Sequence, residues 1–222
     1  MKLQTLLLLA ITLNCQTLLA EDAFKLSETK APPKGIARDQ AAAVQATGLQ
    51  VNNNKGTVCT IWLTKTPAIK EKFTPGLGVN YGFTVGDFMG VMEVGKAATF
   101  TDFRGQEIAP GVYTLRYMLQ PEDGNHIGTS ELRDFLIALP IAKDKTAKTI
   151  NLIDELNQKS AAAAGSTHPA IFSMLPVEKT PKASKLEHNE DNAFWILSTG
   201  SMMNAKQKPV PLRMVIIGKS DV

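Results

Sequence analysis

TDFRGQEIAPGVYTLRYMLQPEDGNHIGTSELRDFLIALPI, residues 101–141, carries the pattern that decides the fold. Pro110 presets φ for the first central position of a turn, and Gly111 supplies the positive φ that a type II turn needs at the second. A strand is therefore expected to begin just after them. From Val112 the side chains alternate, with Tyr113, Leu115, Tyr117 and Leu119 on one face and Val112, Thr114, Arg116 and Met118 on the other. The first set makes the better core face. After Pro121, Asp-Gly, Asn and a second Gly mark a loop. Residues 135–141 then return as a nearly continuous apolar run, the pattern of a strand buried on both sides or in a sandwich core. Two strands thus flank a polar loop holding Glu122, Asp123, Asn125, His126, Glu131, Arg133 and Asp134.

Working outward, residues 49–51, the turn-forming Asn52-Asn53-Asn54-Lys55-Gly56 and residues 57–64 read as a β-hairpin. Further strands are expected at 88–94, 97–103, 194–199 and 212–218, the last two joined by a polar link at 204–208. Residues 21–46 read as a lead-in with a short strand or helical turn, and 67–82, rich in glycine, as an irregular link. Thr149 is placed to cap a helix over 149–164, with Leu152, Ile153 and Leu156 on one face and Gly165 at its end. Residues 168–169 and 174–176 read as a packed connection. The charged stretch 178–192, with Pro181 and no apolar period, reads as a solvated excursion. The count is seven to nine strands and one helix, which defines an all-β fold: an immunoglobulin-like or jelly-roll-like β-sandwich with an inserted helix, forming one domain over 21–222. Closure into a barrel stays open, because strand patterning does not determine it.

Residues 1–20 have one early Lys, an apolar run from Leu6 to Leu13 and Leu18-Leu19-Ala20 before Glu21-Asp22. This is the layout of a secretory signal peptide cleaved after Ala20, too short to anchor in a bilayer. A periplasmic or extracellular location follows as the expectation, with a lipid anchor at Cys15 as the alternative. Removing the segment leaves 23 basic against 21 acidic residues, a formal charge of +2. Such near-neutrality argues against nucleic acid as a partner, since phosphate binding needs a concentrated basic face. Cys59 is then the single remaining cysteine, so stability must come from the core, and its position on an apolar face suits a small buried residue. Trp62, Trp195, Met89, Met92 and Met214 likewise suit the core.

Chemistry concentrates around the 122–134 loop. Asp102, Arg104, Arg116, Asp123, Asn125, His126, Arg133 and Asp134 form the candidate rim for a ligand or protein partner. The guanidinium groups could clamp a carboxylate or phosphate through two parallel hydrogen bonds, or tie the loop to its sheet as ion pairs. His126 and Asp123, with His168 or Glu131 brought in by folding, could instead hold a divalent metal and support hydrolysis. The sequence has no Gly-x-Ser-x-Gly elbow, no His-Glu-x-x-His helix and no nucleotide-binding glycine fingerprint.

The blocks DFRG at 102–105, PGVYTLRY at 110–117, QP at 120–121 with DGNH at 123–126 and Gly128, and RDF at 133–135 together resemble the signature of a group of exported bacterial proteins without an assigned function. The likeness runs from about residue 55 to 176 and takes in His168-Pro169. It implies an exported β-rich domain and no particular activity. The expected role is that of a non-enzymatic binding protein without a cofactor, the alternative being a periplasmic enzyme that uses His126 and Asp123.

Overall fold

The computed structural model describes residues 24–121 and 131–220. In chain order the elements are β1 (Lys25–Lys30), α1 (Arg38–Ala43), β2 (Thr47–Asn53), β3 (Gly56–Leu63), β4 (Phe88–Val94), β5 (Phe100–Thr101), β6 (Glu107–Ile108), β7 (Gly111–Leu119), β8 (Asp134–Pro140), α2 (Ile153–Ala161), β9 (Ala170–Ser173), β10 (Lys185–Asn189), β11 (Phe194–Met203) and β12 (Pro209–Ile217). A seven-stranded antiparallel sheet runs in the order β1-β2-β3-β4-β7-β8-β9, and a second sheet in the order β10-β11-β12. The fold is all-β and sandwich-like, with one main core between the two sheets.

Alternation on β7 sorts its side chains as expected. Tyr113, Leu115 and Tyr117 enter the main core, while Met118 packs on the opposite face with Ile137, Leu139 and Leu156. That second face is also buried, because α1, α2 and residues 141–150 lie across it. Covering both faces explains why β3, β4 and β8 read as nearly continuous apolar runs rather than as alternating ones.

The sheets meet along both sides of the sandwich. Met174 bridges to Met214 and the Leu175 N–H donates to the Arg213 carbonyl at 2.8 Å, so the chain leaving β9 continues alongside β12. Tyr81 fills this join: its hydroxyl donates to Leu175 O at 2.8 Å and accepts from the Arg213 N–H at 3.0 Å. On the far side β1 approaches β10, and the Phe24 ring meets Trp195 edge-on at 5.3 Å. The outer edge of β9 is capped by the turn between β5 and β6, where Phe103 N–H donates to Ile171 O. Covered edges of this kind leave few unpaired backbone groups to recruit another strand.

Several expectations need correction. Gly111 is the first residue of β7 and lies outside the positive-φ region, so Pro110 makes a bend rather than a type II turn. The helix is nine residues long and starts at Ile153, with Leu152 at the cap position; Thr149 lies before it and donates its hydroxyl to Asp87 at 2.7 Å. Its buried side is Leu156, Ser160 and Ala161; Leu152 and Ile153 face solvent. Ser160 sets that orientation by donating to Ala138 O at 2.8 Å and accepting from Ala170 N–H at 3.0 Å. The supposed excursion at 178–192 contains β10, and β9 lies between the two stretches, 168–169 and 174–176, that read as a packed connection. The strand expected at 97–103 shrinks to the two residues of β5, and α1 is a second helix. Cys59 is fully buried, which pushes its thiol well above the usual range. Among the described residues no helix is long and apolar enough to cross a membrane.

Candidate functional site

Of the residues nominated for the rim, those among the described residues are distributed over three separate places. Asp102 is buried in the β5–β6 turn, where Oδ1 accepts from the N–H groups of Arg104 at 2.9 Å and Gln106 at 2.8 Å. Its Oδ2 accepts from Gln106 Nε2 at 2.7 Å and from Ile171 N–H at 3.0 Å, fastening the turn to the edge of β9. Arg104 projects from that turn to solvent. Asp134, at the start of β8, faces the main core. Its Oδ1 accepts from the Tyr117 hydroxyl at 2.5 Å and its Oδ2 from Asn80 N–H at 2.6 Å. Burial, followed by the adjacent Asp134 carboxylate, pushes the Tyr117 phenol well above its ordinary value. Arg133 donates its backbone N–H to Gly78 O and its guanidinium to Gln120 O, at 3.1 Å from Nη2.

Arg116 lies on the other face of the same sheet with no exposed surface. Every one of its five guanidinium donors is used: Nε and Nη2 grip Asp144 at 2.6 and 2.9 Å, Nη1 reaches Gly86 O and Lys148 O, and Nη2 also reaches Thr146 O. Thr114 donates to the same Asp144 carboxylate at 2.6 Å. Gln40 of α1 adds bonds from Nε2 to the carbonyls of Asp144 and Thr146, so the 144–148 segment is clamped between sheet and helix. These are connections between strands and loops, and the β7–β8 layer separates Arg116 from Asp134. Asp144 was missed by sequence reasoning. An arginine at an inward position of a strand does call for a buried carboxylate, but nothing in the sequence says which one.

Asp123, Asn125 and His126 lie outside the described residues. His168 is exposed on the approach to β9. Among the described residues no three His, Cys, Asp or Glu side chains gather as a metal-binding group.

A cleft lies elsewhere, on the outer face of the three-stranded sheet. Residues 176–185 arch over this face and enclose a cleft of about 840 Å³. The arch is held down where Thr180 and Pro181 lie on Gly200: a Cβ there would come within 2.9 Å of the Pro181 carbonyl. Ser184 Oγ is also 2.8 Å from Thr199 Oγ1. The floor is set by register. Lys185 pairs with Ser198 and Ser198 with Arg213, so these three side chains form one row across β10, β11 and β12. They alternate with Leu186, Leu197 and Met214, which point into the core. The Ser198 hydroxyl is buried, with 4% of the residue exposed, yet has no hydrogen-bond partner among the described residues. Sequence reading passed over this site because its floor and arch come together only through strand pairing. The one available signal was a serine and an arginine facing outward beside the apolar residues of β11 and β12.

No protein family, curated protein or solved structure matches this chain.

Proposed function

We propose that this protein is an exported, non-enzymatic β-sandwich that binds a small ligand in the cleft between residues 176–185 and the β10–β12 sheet. The observation that carries the reading is the unpartnered Ser198 hydroxyl on the floor of that cleft. A buried hydroxyl without a partner is unfavourable by about 1–3 kcal/mol, and a ligand that accepts its proton recovers that loss. The volume falls within the range of about 300–1,000 Å³ typical of small-molecule sites. The non-enzymatic part of the reading is supported by two observations. Among the described residues Ser198 Oγ has no hydrogen-bond partner that could take its proton, and Asp102, Arg116 and Asp134 spend their hydrogen bonds on joining strands and loops. Export rests on the signal-peptide layout of residues 1–20 and on the resemblance of the 102–135 blocks to exported proteins.

The test is amide hydrogen exchange of the purified protein with a fragment set holding neutral and anionic members, each at 10 mM. Protection is expected at residues 176–185 and 196–200. If no member slows exchange there, the cleft is not a binding site.

A further inference from the structure

Resting on that reading, we infer that the ligand is a small organic anion, held through a carboxylate or phosphate group by Arg213, Ser198 and Lys185. The three side chains are neighbours in register on adjacent strands. Strand spacing therefore places the two cations about 10 Å apart at their Cα atoms, with the serine midway. All three present hydrogen-bond donors, and an ammonium and a guanidinium can only donate. Whatever lies over Ser198 must therefore offer acceptors. Among the described residues, nothing accepts from the Arg213 guanidinium, so its planar fork remains available to an oxyanion. Lys185 is already 2.7 Å from Glu187, with both side chains about half exposed, so it can turn from that carboxylate to a ligand.

The wall strengthens the case. Lys179 and Lys182 of the arch join Lys185 and Arg213 around the cleft against Glu178 and Glu187, leaving an excess of two positive charges. A concave surface with low-dielectric walls concentrates such a field. An apolar fragment would satisfy none of the three donors, and a neutral sugar would leave the two flanking cations without a counter-charge.

The exchange experiment decides the matter when citrate, inorganic phosphate and sorbitol are compared at fixed ionic strength, since screening would otherwise mimic weak binding. Titration calorimetry on wild type, Arg213→Gln, Ser198→Ala, Lys185→Gln and the distant control Lys206→Gln gives the affinities. Citrate or phosphate should bind saturably and protect the arch, while sorbitol should not. Arg213→Gln should weaken the anion by about tenfold or more and Ser198→Ala by about three- to tenfold. Lys206→Gln should change nothing. Preference for citrate points to a carboxylate ligand, and preference for phosphate to a phosphorylated one. Arg213 lies at the surface of β12, and unchanged melting curves will show that its variant is folded. Protection by neutral members with none by the anions, or wild-type affinity in Arg213→Gln, would overturn the inference while leaving the cleft a binding site. Protection by no member at all would remove both.

Discussion

Removal of the Asp144 carboxylate is the sharpest probe of how this fold is held. In Asp144→Ala the Arg116 guanidinium keeps its position with no exposed surface and its carbonyl partners, but loses both bonds to its counter-charge. Thr114 loses its acceptor as well. Breaking one side of a buried ion pair destabilises by about 3–5 kcal/mol, because the remaining charge stays out of water without compensation. That is a large part of the roughly 5–15 kcal/mol by which a domain is stable. For a chain of this size it corresponds to a fall in Tm of about 6–20 °C. Urea denaturation of wild type, Asp144→Ala, Arg116→Met and the double variant supplies the thermodynamic cycle. The double variant should be less damaged than the two single losses added together, by at least about 1 kcal/mol, since removing both charges leaves neither stranded. It should not return to wild type, because the carbonyls of Gly86, Thr146 and Lys148 lose their donors. A loss below about 1 kcal/mol in Asp144→Ala, or strict additivity, would refute the account of a fully desolvated, mutually dependent pair.

Other consequences follow from the same packing. Gly86→Ala should cost about 2–4 kcal/mol in thermal denaturation, since φ is +86° and the new Cβ would sit 1.8 Å from Ile150 O, where the 144–150 segment crosses the sheet. Tyr117→Phe should lower stability by about 1–3 kcal/mol, because it removes a donor from a buried carboxylate that keeps Asn80 as a partner. Alkaline pH should destabilise the protein. Burial raises the proton affinity of Cys59, Tyr81 and Tyr117 in the folded state, so the unfolded chain loses those protons first. Stability is then full below the ordinary values of 9.0 for the thiol and 10.0 for the phenols and falls above them, by up to about 1.4 kcal/mol per pH unit for each group. Urea melts between pH 8 and 11 should show the slope, and Cys59→Ala should delay its onset by about one pH unit. Leu77, 90% exposed at φ +50°, should accept Asn with a rise in Tm of about 1–3 °C, as the shorter polar residue tolerates the left-handed conformation better.

The elements legible in the sequence are those whose pattern comes from a buried face. The hairpin of β2 and β3, strand β4 and the pair β7–β8 emerge within a residue or two of their expected limits. In each, apolar side chains recur at the right spacing and the turn residues are explicit: Asn53 Oδ1 accepts from Lys55 N–H, and Gly56 takes φ +128°. The elements that escaped lack that signal. β10 is KLEHN, a partly exposed edge strand that exists because Leu186 pairs with Leu197 at the core face. β9 has four residues, and α1 is a six-residue helix with a single fully buried side chain, Gln40. The helix starts later than expected, with Leu152 at its cap position, and Thr149, a good cap by residue type, lies before it and donates to Asp87.

The amino-acid sequence by itself determined the β-rich class, the two faces of β7, the burial of Cys59 and the near-neutral charge of residues 21–222. All of these depend on local alternation or on composition. It placed Arg116, Asp102 and Asp134 near one another because they are close along the chain. Only the tertiary structure decided that a sheet stands between Arg116 and Asp134, that Asp144 is the counter-charge, and that Lys185, Ser198 and Arg213 share one row. The physical reason is that strand pairing joins residues remote in sequence, and the parity of each strand then sends a side chain to one face or the other. A one-residue change in register would turn Ser198 into the core and dismantle the cleft.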